Sequence, residues 1–130
     1  MNRKEIYIRA TRSTPGVVFS DGRFLICGRS IPEKPAAFYR LLYDWMLVRV
    51  KRAEGTPVIE LGFEYINSAS AKWVFLILRD LAFAGISYRV IWYYETGDDD
   101  MLELGYMFKT LLCCPLATVE VENIPVTHQM

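Results

Sequence analysis

From residue 35 onward, stretches with helical periodicity alternate with short apolar stretches that are typical of β-strands. The predicted elements, in order, are helix 35–54, strand 57–66, helix 68–84, strand 87–94, a helix that begins at Asp98-Asp99-Asp100 and ends near Cys113, and strand 116–122. Strands that are separated by helices pair in parallel through right-handed crossovers. The chain is therefore predicted to form an α/β fold.

The residues before this alternation predict an antiparallel hairpin. A strand over 5–10 precedes strands 17–20 and 23–28, which flank the turn-forming pair Asp21-Gly22. The predicted order is β-β-β-α-β-α-β-α-β, with a mostly parallel remainder and helices packed on a mixed sheet. Since the sequence shows no linker or repeat, we expect a single domain over 1–130, with a core over 5–122 and a frayed tail over 123–130.

Composition restricts the class of protein. Of the 130 residues, 52% are hydrophobic, which is enough apolar material for a core and argues against disorder. No apolar run reaches the roughly 20 residues that span a bilayer, and the N-terminus lacks a signal-peptide pattern, so we expect no membrane insertion. The cysteines Cys27, Cys113 and Cys114 are an odd number without metal-ligand spacing, which favours a reducing cytoplasm.

Charge is balanced overall but segregated along the chain. Residues 1–52 carry eleven Lys or Arg and four Asp or Glu, whereas residues 53–130 carry four and eleven. Such asymmetry can mark a nucleic-acid surface. Because the basic residues are scattered through hairpin and helix, attraction between the two halves is the simpler interpretation, and we expect no nucleic-acid partner.

Three predicted loops, 29–35, 67–68 and 95–98, each follow a strand and precede a helix. In a parallel sheet such loops share one edge, beyond the carboxyl ends of the strands, where open α/β sheets place their sites. In the first loop, Arg29 and Ser30 offer donors to an anion. A turn with a helix cap is the simpler explanation of these two residues.

The second loop places a hydroxyl at a strand–helix junction. Asn67 or Ser68 would cap the following helix and satisfy one free amide. Alternatively, an exposed Ser68 hydroxyl at the helix N-terminus would accept a phosphate, which the free amides and the helix dipole stabilise. A nucleophilic serine is disfavoured because the one histidine, His128, lies in the tail and no Gly-x-Ser-x-Gly motif is present.

The third loop is acidic, with Asp98, Asp99 and Asp100 followed by Glu103. Acidic residues in a first helical turn interact favourably with the helix dipole. Four neighbouring carboxylates could also hold a cation such as Mg²⁺ for a metal-dependent hydrolase, but the spacing matches no calcium loop and no nucleophile–base pair accompanies them. We therefore expect no metal, no cofactor and no enzymatic activity.

The first predicted helix carries two adjacent apolar stripes at helical spacing. They consist of Phe38, Leu41, Leu42, Trp45 and Val48, and of Tyr39, Tyr43, Met46 and Val50. A wide core contact explains both stripes. A constitutive interaction or dimerisation module that uses Tyr39, Tyr43 and Met46 is the alternative, and the sequence does not fix an oligomeric state.

Several motifs occur together and in a specific order. They are Thr14-Pro15, Gly28-Arg29-Ser30-Ile31-Pro32-Glu33, Pro35 with Phe38-Tyr39, Glu64-Tyr65-x-Asn67-Ser68-x-Ser70-x-Lys72, and Trp92-Tyr93-Tyr94-Glu95 with Asp98-Asp99-Asp100-Met101-Leu102-Glu103. With these motifs, the chain resembles the SiaC family of bacterial regulatory phosphoproteins over residues 11–122. The resemblance implies a STAS-like fold, similar to that of anti-sigma-factor antagonists.

The resemblance also implies a non-enzymatic switch that works by partner exchange. A SiaB-like protein kinase phosphorylates the protein, and a PP2C-type phosphatase removes the phosphate. The unphosphorylated form binds and activates a GGDEF diguanylate cyclase, which raises cyclic di-GMP and favours biofilm growth. By position, the phosphoacceptor is Ser68, where the family usually has threonine; Ala69 stands where it has serine, and Tyr106-Met107 where it tends to be acidic.

The matched motifs further suggest which residues meet the partners. These are polar residues of the three loops and of the helix start after the second loop: Arg29, Ser30, Glu33, Asn67, Ser70, Lys72, Asp98, Asp99 and Asp100. A phosphate on Ser68 would add almost two negative charges to this surface. It would then be repelled by the Asp98–Asp100 loop or held by Arg29.

Overall fold

The strands lie in the sheet in the order in which they follow one another along the chain. The computed structural model describes residues 5–20 and 22–124. Its strands are β1 (Ile6–Ile8), β2 (Gly16–Ser20), β3 (Arg23–Ser30), β4 (Val58–Ile66), β5 (Arg89–Glu95) and β6 (Leu116–Val121). The pairs β1–β2 and β2–β3 are antiparallel, and β3 through β6 are parallel. This arrangement confirms the predicted mixed sheet.

Each parallel connection contains one helix. The helices are α1 (Pro35–Arg49), which continues into a 3-10 turn over Val50–Arg52, α2 (Ser68–Phe83) and α3 (Asp99–Leu112). Because successive crossovers run in the same direction across the sheet and share one hand, they bring the helices to the same face. There, strand residues such as Phe63 and Trp92 form one core with buried residues of all three helices. A smaller cluster of Val18, Leu25, Cys27 and Ile124 lies apart from that core.

The buried face of α1 is narrower than the sequence predicts. Tyr39, Leu42, Met46 and Val50 are buried, whereas Leu41 and Val48 are 57% and 49% exposed. The prediction that Leu41 and Val48 face the core is therefore wrong. A helix of this diameter buries one stripe against a sheet, and both residues fall on the far side of that stripe.

The other two helices each pack one face against the sheet. Val74, Ile77, Leu78 and Leu81 of α2 are buried. In α3, Gly105 lies against Trp92, and a Cβ at this position would come within 2.6 Å of the indole Cδ1 atom. The absence of a side chain at residue 105 therefore lets α3 approach the sheet closely.

Strand β3 is longer than predicted and places Arg29 and Ser30 within the sheet. Its pairing with β4 shifts register between Gly28 and Arg29, so that Gly28 faces Phe63 and Arg29 faces Tyr65. Gly28 has a φ of +123°, a conformation that favours glycine. The first loop at the site edge is therefore shorter than predicted, because these two residues pair with β4 rather than forming the turn.

The structure describes the hairpin turn and the predicted tail only in part. Gly22, with a φ of +73°, is consistent with the predicted hairpin turn, while Asp21 lies outside the described residues. Ile124, assigned from the sequence to the frayed tail, is 5% exposed, and its amide donates to Glu95 Oε2 over 3.0 Å. The remainder of the predicted tail, residues 125–130, also lies outside the described residues.

Candidate functional site

The carboxyl ends of β3, β4 and β5 meet at one edge of the sheet. Since β4 lies between the other two strands, the junction that follows it lies between the loop after β3 and the loop after β5. Neighbouring strands are about 4.8 Å apart, so the three junctions start within roughly 10 Å of one another. We call this the switch edge, and it comprises residues 29–34, 67–72 and 95–100.

Asn67 caps α2, and Ser68 occupies the first helical position. The Asn67 side-chain oxygen accepts a hydrogen bond from the Ser70 amide over 2.9 Å. The Asn67 amide donates to the Ser30 carbonyl oxygen over 3.0 Å, which ties the start of α2 to the end of β3. Of the two residues that the sequence offers as caps, Asn67 has this role, and the Ser68 side chain does not.

The Ser68 side chain is exposed and available. Within residues 5–20 and 22–124, no side-chain hydrogen bond or ion pair engages its hydroxyl. The first-turn amides of a helix have no acceptor within the helix and carry the positive end of its dipole. A negative group on the Ser68 oxygen would therefore lie in a favourable field.

Beneath this exposed position lies a buried cluster of hydroxyl groups. Ser30 Oγ and the Tyr39 hydroxyl are 2.5 Å apart, and both residues are fully buried. Ser70, in the first turn of α2, is also fully buried, and its hydroxyl has no hydrogen bond within the geometric limits among the described residues. Burial raises the pKa of Tyr39 to about 12, against the lowering effect of its hydroxyl neighbours Ser30 and Ser70.

This cluster corrects two of the predicted partner contacts. The predicted partner-binding surface includes Ser30 and Ser70, but neither side chain is accessible. Ser30 points inward because it continues the alternation of β3, and Ser70 points inward because it lies on the core face of α2. The sequence predicts Tyr39 only as a member of an apolar stripe, although a tyrosine among buried apolar neighbours is itself a signal that a polar partner lies nearby.

The other predicted residues of the first two junctions are exposed. Glu33 and Lys72 have exposed side chains. Arg29 is exposed as well; its Nε donates to the Arg12 carbonyl oxygen over 3.2 Å, and its guanidinium lies 5.8 Å from the centre of the Tyr65 ring. Arg29 is therefore positioned by contacts with the N-terminal loop and with β4.

The acidic junction caps α3. The Asp98 carboxylate accepts a hydrogen bond from the Met101 amide over 3.1 Å, and Asp99 and Asp100 occupy the exposed first turn. In the described part of the chain, no three His, Cys, Asp or Glu side chains come together as a metal site requires. The acidic residues thus have the capping and dipole roles that the sequence favours.

The α1 surface proposed for a constitutive module is mostly inside the protein. Tyr39 and Met46 are 0% and 1% exposed, so they offer no surface to a partner. The Tyr43 hydroxyl donates to Asp80 Oδ2 of α2 over 2.5 Å. This bond raises the pKa of Tyr43 and lowers that of Asp80. The alternative that uses Tyr39, Tyr43 and Met46 is therefore wrong, because these residues join α1 to the rest of the fold.

The fold and this edge together define a small two-layer α/β domain that presents an unengaged hydroxyl at a helix N-terminus. None of the helices in residues 5–20 and 22–124 is both long and apolar enough to cross a membrane. The family model of the SiaC family regulatory phosphoproteins matches residues 8–121. The chain belongs to this family.

Solved structures show the same fold at low sequence identity. SiaC of Pseudomonas aeruginosa superposes with a TM-score of 0.79 at 22% identity, covering 92% of this chain and all (100%) of that one. A second match is a chain in the crystal structure of the P. aeruginosa diguanylate cyclase SiaD in complex with its activator SiaC. It superposes with a TM-score of 0.77 at 23% sequence identity, and the match covers 89% of this chain and 99% of that one. Apo-SiaC of the same organism superposes with a TM-score of 0.71 at 21% sequence identity, and the match covers 89% of this chain and 98% of that one. The comparison with curated proteins gave no match.

Proposed function

We propose that this protein is a non-enzymatic switch whose state is set by phosphorylation of Ser68. The observation that carries the proposal is the division of roles at the start of α2. Asn67 supplies the cap, so that the neighbouring Ser68 hydroxyl is exposed and has no structural partner among the described residues. Membership of a family of regulatory phosphoproteins supports the same assignment.

The unphosphorylated form, in this proposal, binds and activates a GGDEF diguanylate cyclase. A SiaC of P. aeruginosa is the activator of the diguanylate cyclase SiaD in their complex, which supports a cyclase as partner. A SiaB-like kinase adds the phosphate and a PP2C-type phosphatase removes it. The output is control of cyclic di-GMP and hence of biofilm growth by a cytoplasmic protein.

The partner surface of the proposal is the accessible part of the switch edge. It includes Arg29, Glu33, Asn67, Lys72 and the Asp98–Asp100 turn, with the half-exposed Tyr65 ring beside Arg29. Phosphorylation adds nearly two negative charges at the centre of this surface. A cyclase that packs against the uncharged Ser68 would have to bury the charge of the phosphate. Phosphorylation therefore releases the cyclase.

Lys72 gives the phosphorylated state an internal partner. It lies four residues after Ser68, and side chains at this spacing are neighbours on one helix face. The phosphate on Ser68 pairs with the Lys72 ammonium and with the free amides of the first turn. The Asp98–Asp100 turn, at the neighbouring strand end, opposes the added charge and sharpens the difference between the two states.

The test is phosphopeptide mass spectrometry on protein isolated from its native host, with Ser68→Ala as the control. We expect a phosphate on Ser68, its loss in the variant, and its removal by a PP2C-type phosphatase in vitro. A chain that carries no phosphate in any growth condition, or carries it on a different residue, would contradict the proposal.

A further inference from the structure

A cavity of about 500 Å³ lies at the opposite edge of the sheet from Ser68. It is formed where the β2–β3 turn meets the C-terminal end of α1 and the 3-10 turn that follows. Its lining includes Phe24, Trp45, Arg49, Arg52, Ala53 and Glu54. The eight residues of β3 separate this cavity from the switch edge by roughly 25 Å. A cavity of this size can hold a small organic molecule.

Two guanidinium groups reach this cavity and have no acidic partner among the described residues. Arg49 and Arg52 form no ion pair within 4.0 Å among the described residues, whereas Arg23, Arg40 and Arg79 each have a carboxylate partner. Arg49 and Arg52 are three positions apart at a transition into a 3-10 turn, where residues at this spacing lie above one another. Like charges so placed repel, and an anion between them relieves that repulsion.

Trp45 adds an aromatic side chain to the same wall. Its ring is held between Phe19, with ring centres 4.9 Å apart, and the Arg49 guanidinium, 5.9 Å from the ring centre. The indole N–H is buried and has no acceptor in the described part of the chain. Because this N–H is buried, a ligand in the cavity meets the Trp45 ring rather than its donor.

We propose that this cavity binds a small organic anion, with a carboxylate or phosphate group held by Arg49 and Arg52 and its carbon skeleton against Phe24, Ala53 and the Trp45 edge. The Glu54 carboxylate at the same cavity disfavours multiply charged ligands. It also offers an acceptor to a ligand hydroxyl or amine. This proposal is independent of phosphorylation at Ser68, since the cavity and the switch edge share no residue.

The test is a set of ligand titrations on the full chain, in which the melting temperature and the tryptophan emission are measured at each ligand concentration. The probes are inorganic phosphate, benzoate and adenosine 5′-monophosphate at millimolar concentrations, which separate a bare anion, an aromatic carboxylate and a phosphate monoester. We expect at least one organic probe to raise the melting temperature saturably and to change the emission, because only bound ligand stabilises the native state in this way.

Variants then assign the binding to this cavity. Arg52→Gln should lower the affinity for the probe that binds by about tenfold, the effect of losing one hydrogen bond to a charged group. Arg40→Gln, which removes the same charge from an exposed position on α1, should leave binding unchanged, and Glu54→Gln should strengthen it. The proposal is overturned if no probe shifts the melting temperature, or if Arg52→Gln and Arg40→Gln bind the probe equally well.

Discussion

Asn67 and Ser68 are neighbours in the sequence but have different roles in the structure. Residue types alone allow either side chain to cap α2, because asparagine and serine are both good caps. The hydrogen bond from the Ser70 amide to Asn67 Oδ1 decides between them. The motif was thus sufficient to propose Ser68 as the phosphoacceptor, whereas the three-dimensional arrangement was needed to show that its side chain has no partner among the described residues.

This difference predicts that two adjacent substitutions change the free energy of unfolding by different amounts. Asn67→Ala should lower the free energy of unfolding by about 1 kcal/mol, the usual cost of a lost cap. Ser68→Ala should change it by less than about 0.5 kcal/mol, as expected for an exposed side chain without partners. Urea denaturation of both variants checks this pair. A larger loss for Ser68→Ala than for Asn67→Ala would show that Ser68 is the cap.

The buried Tyr39 hydroxyl predicts a loss of stability at alkaline pH. Its pKa is raised from 10.0 in the unfolded chain to about 12 in the folded protein by burial. The resulting stabilisation is fully present below pH 10 and is lost as the pH rises through the folded pKa. At about 1.4 kcal/mol for each pKa unit, the loss attributable to Tyr39 is of order 2 to 3 kcal/mol.

Tyr39→Phe isolates this contribution. The variant should be less stable than the parent at neutral pH, because Ser30 loses its hydroxyl partner. It should also lose less stability than the parent on moving from pH 10 to about 12, because phenylalanine does not titrate. Denaturant unfolding measured across this window is the check, and parallel curves for the two proteins would rule out Tyr39 as the titrating group.

At the scale of elements, periodicity predicted which segments fold as helices but not the angular position of every side chain. The apolar pattern of α1 is broad, so that two stripes fit it equally well. Contact with α2 and the sheet buries Leu42 from the first stripe with Tyr39, Met46 and Val50 from the second, and leaves Leu41 exposed. Likewise, the last residues of β3 read as a loop in the sequence because Gly28 interrupts the apolar run, yet β4 supplies the pairing that extends the strand.

A pair of leucine substitutions measures this orientation of α1. Leu42→Ala should lower the free energy of unfolding by about 2 to 5 kcal/mol, because it removes buried methyl groups and leaves a cavity. Leu41→Ala should have an effect within about 0.5 kcal/mol, since its side chain is mostly exposed. Thermal or urea unfolding distinguishes them. Equal losses in the two variants would mean that α1 packs on the wider face that the sequence alone suggests.

At the scale of the whole molecule, the strands lie in the sheet in chain order, so the charge asymmetry along the sequence becomes an asymmetry in space. In segment 1–52, Arg23 and Arg29 lie in β3, Arg40 and Arg49 in α1, and Lys51 and Arg52 in the 3-10 turn that follows, whereas most acidic residues of the remainder lie in the elements from β4 onward or at their ends. The segment from β3 to the 3-10 turn therefore carries most of the basic residues in the described part of the chain, and the segment from β4 onward carries most of the acidic ones. The ion pair between Arg23 and Glu60 joins the two segments over 3.1 Å.

The same order brings the three strand–helix junctions of the switch edge together. The alternation of strands and helices was sufficient to predict a common edge, because parallel strands all end on the same side. The sequence could not show which side chains at that edge point outward. Ser30 and Ser70 turn inward to Tyr39, while Ser68 remains on the surface. Long-range packing between α1, β3 and α2 determines which face of each element is buried, and the strand and helix periods then place Ser30 and Ser70 on that face.

The proposed switch depends on a change in partner binding when Ser68 acquires a phosphate. The most direct measurement compares diguanylate cyclase activation by the unmodified protein and by protein with phosphoserine incorporated at position 68 during synthesis. Phosphoserine at position 87, an exposed site at the far end of the sheet, is the matched control. We expect the unmodified protein and the position-87 control to activate the cyclase, and phosphorylation at position 68 to weaken activation by at least about tenfold. Equal activation by all three proteins would contradict the switch.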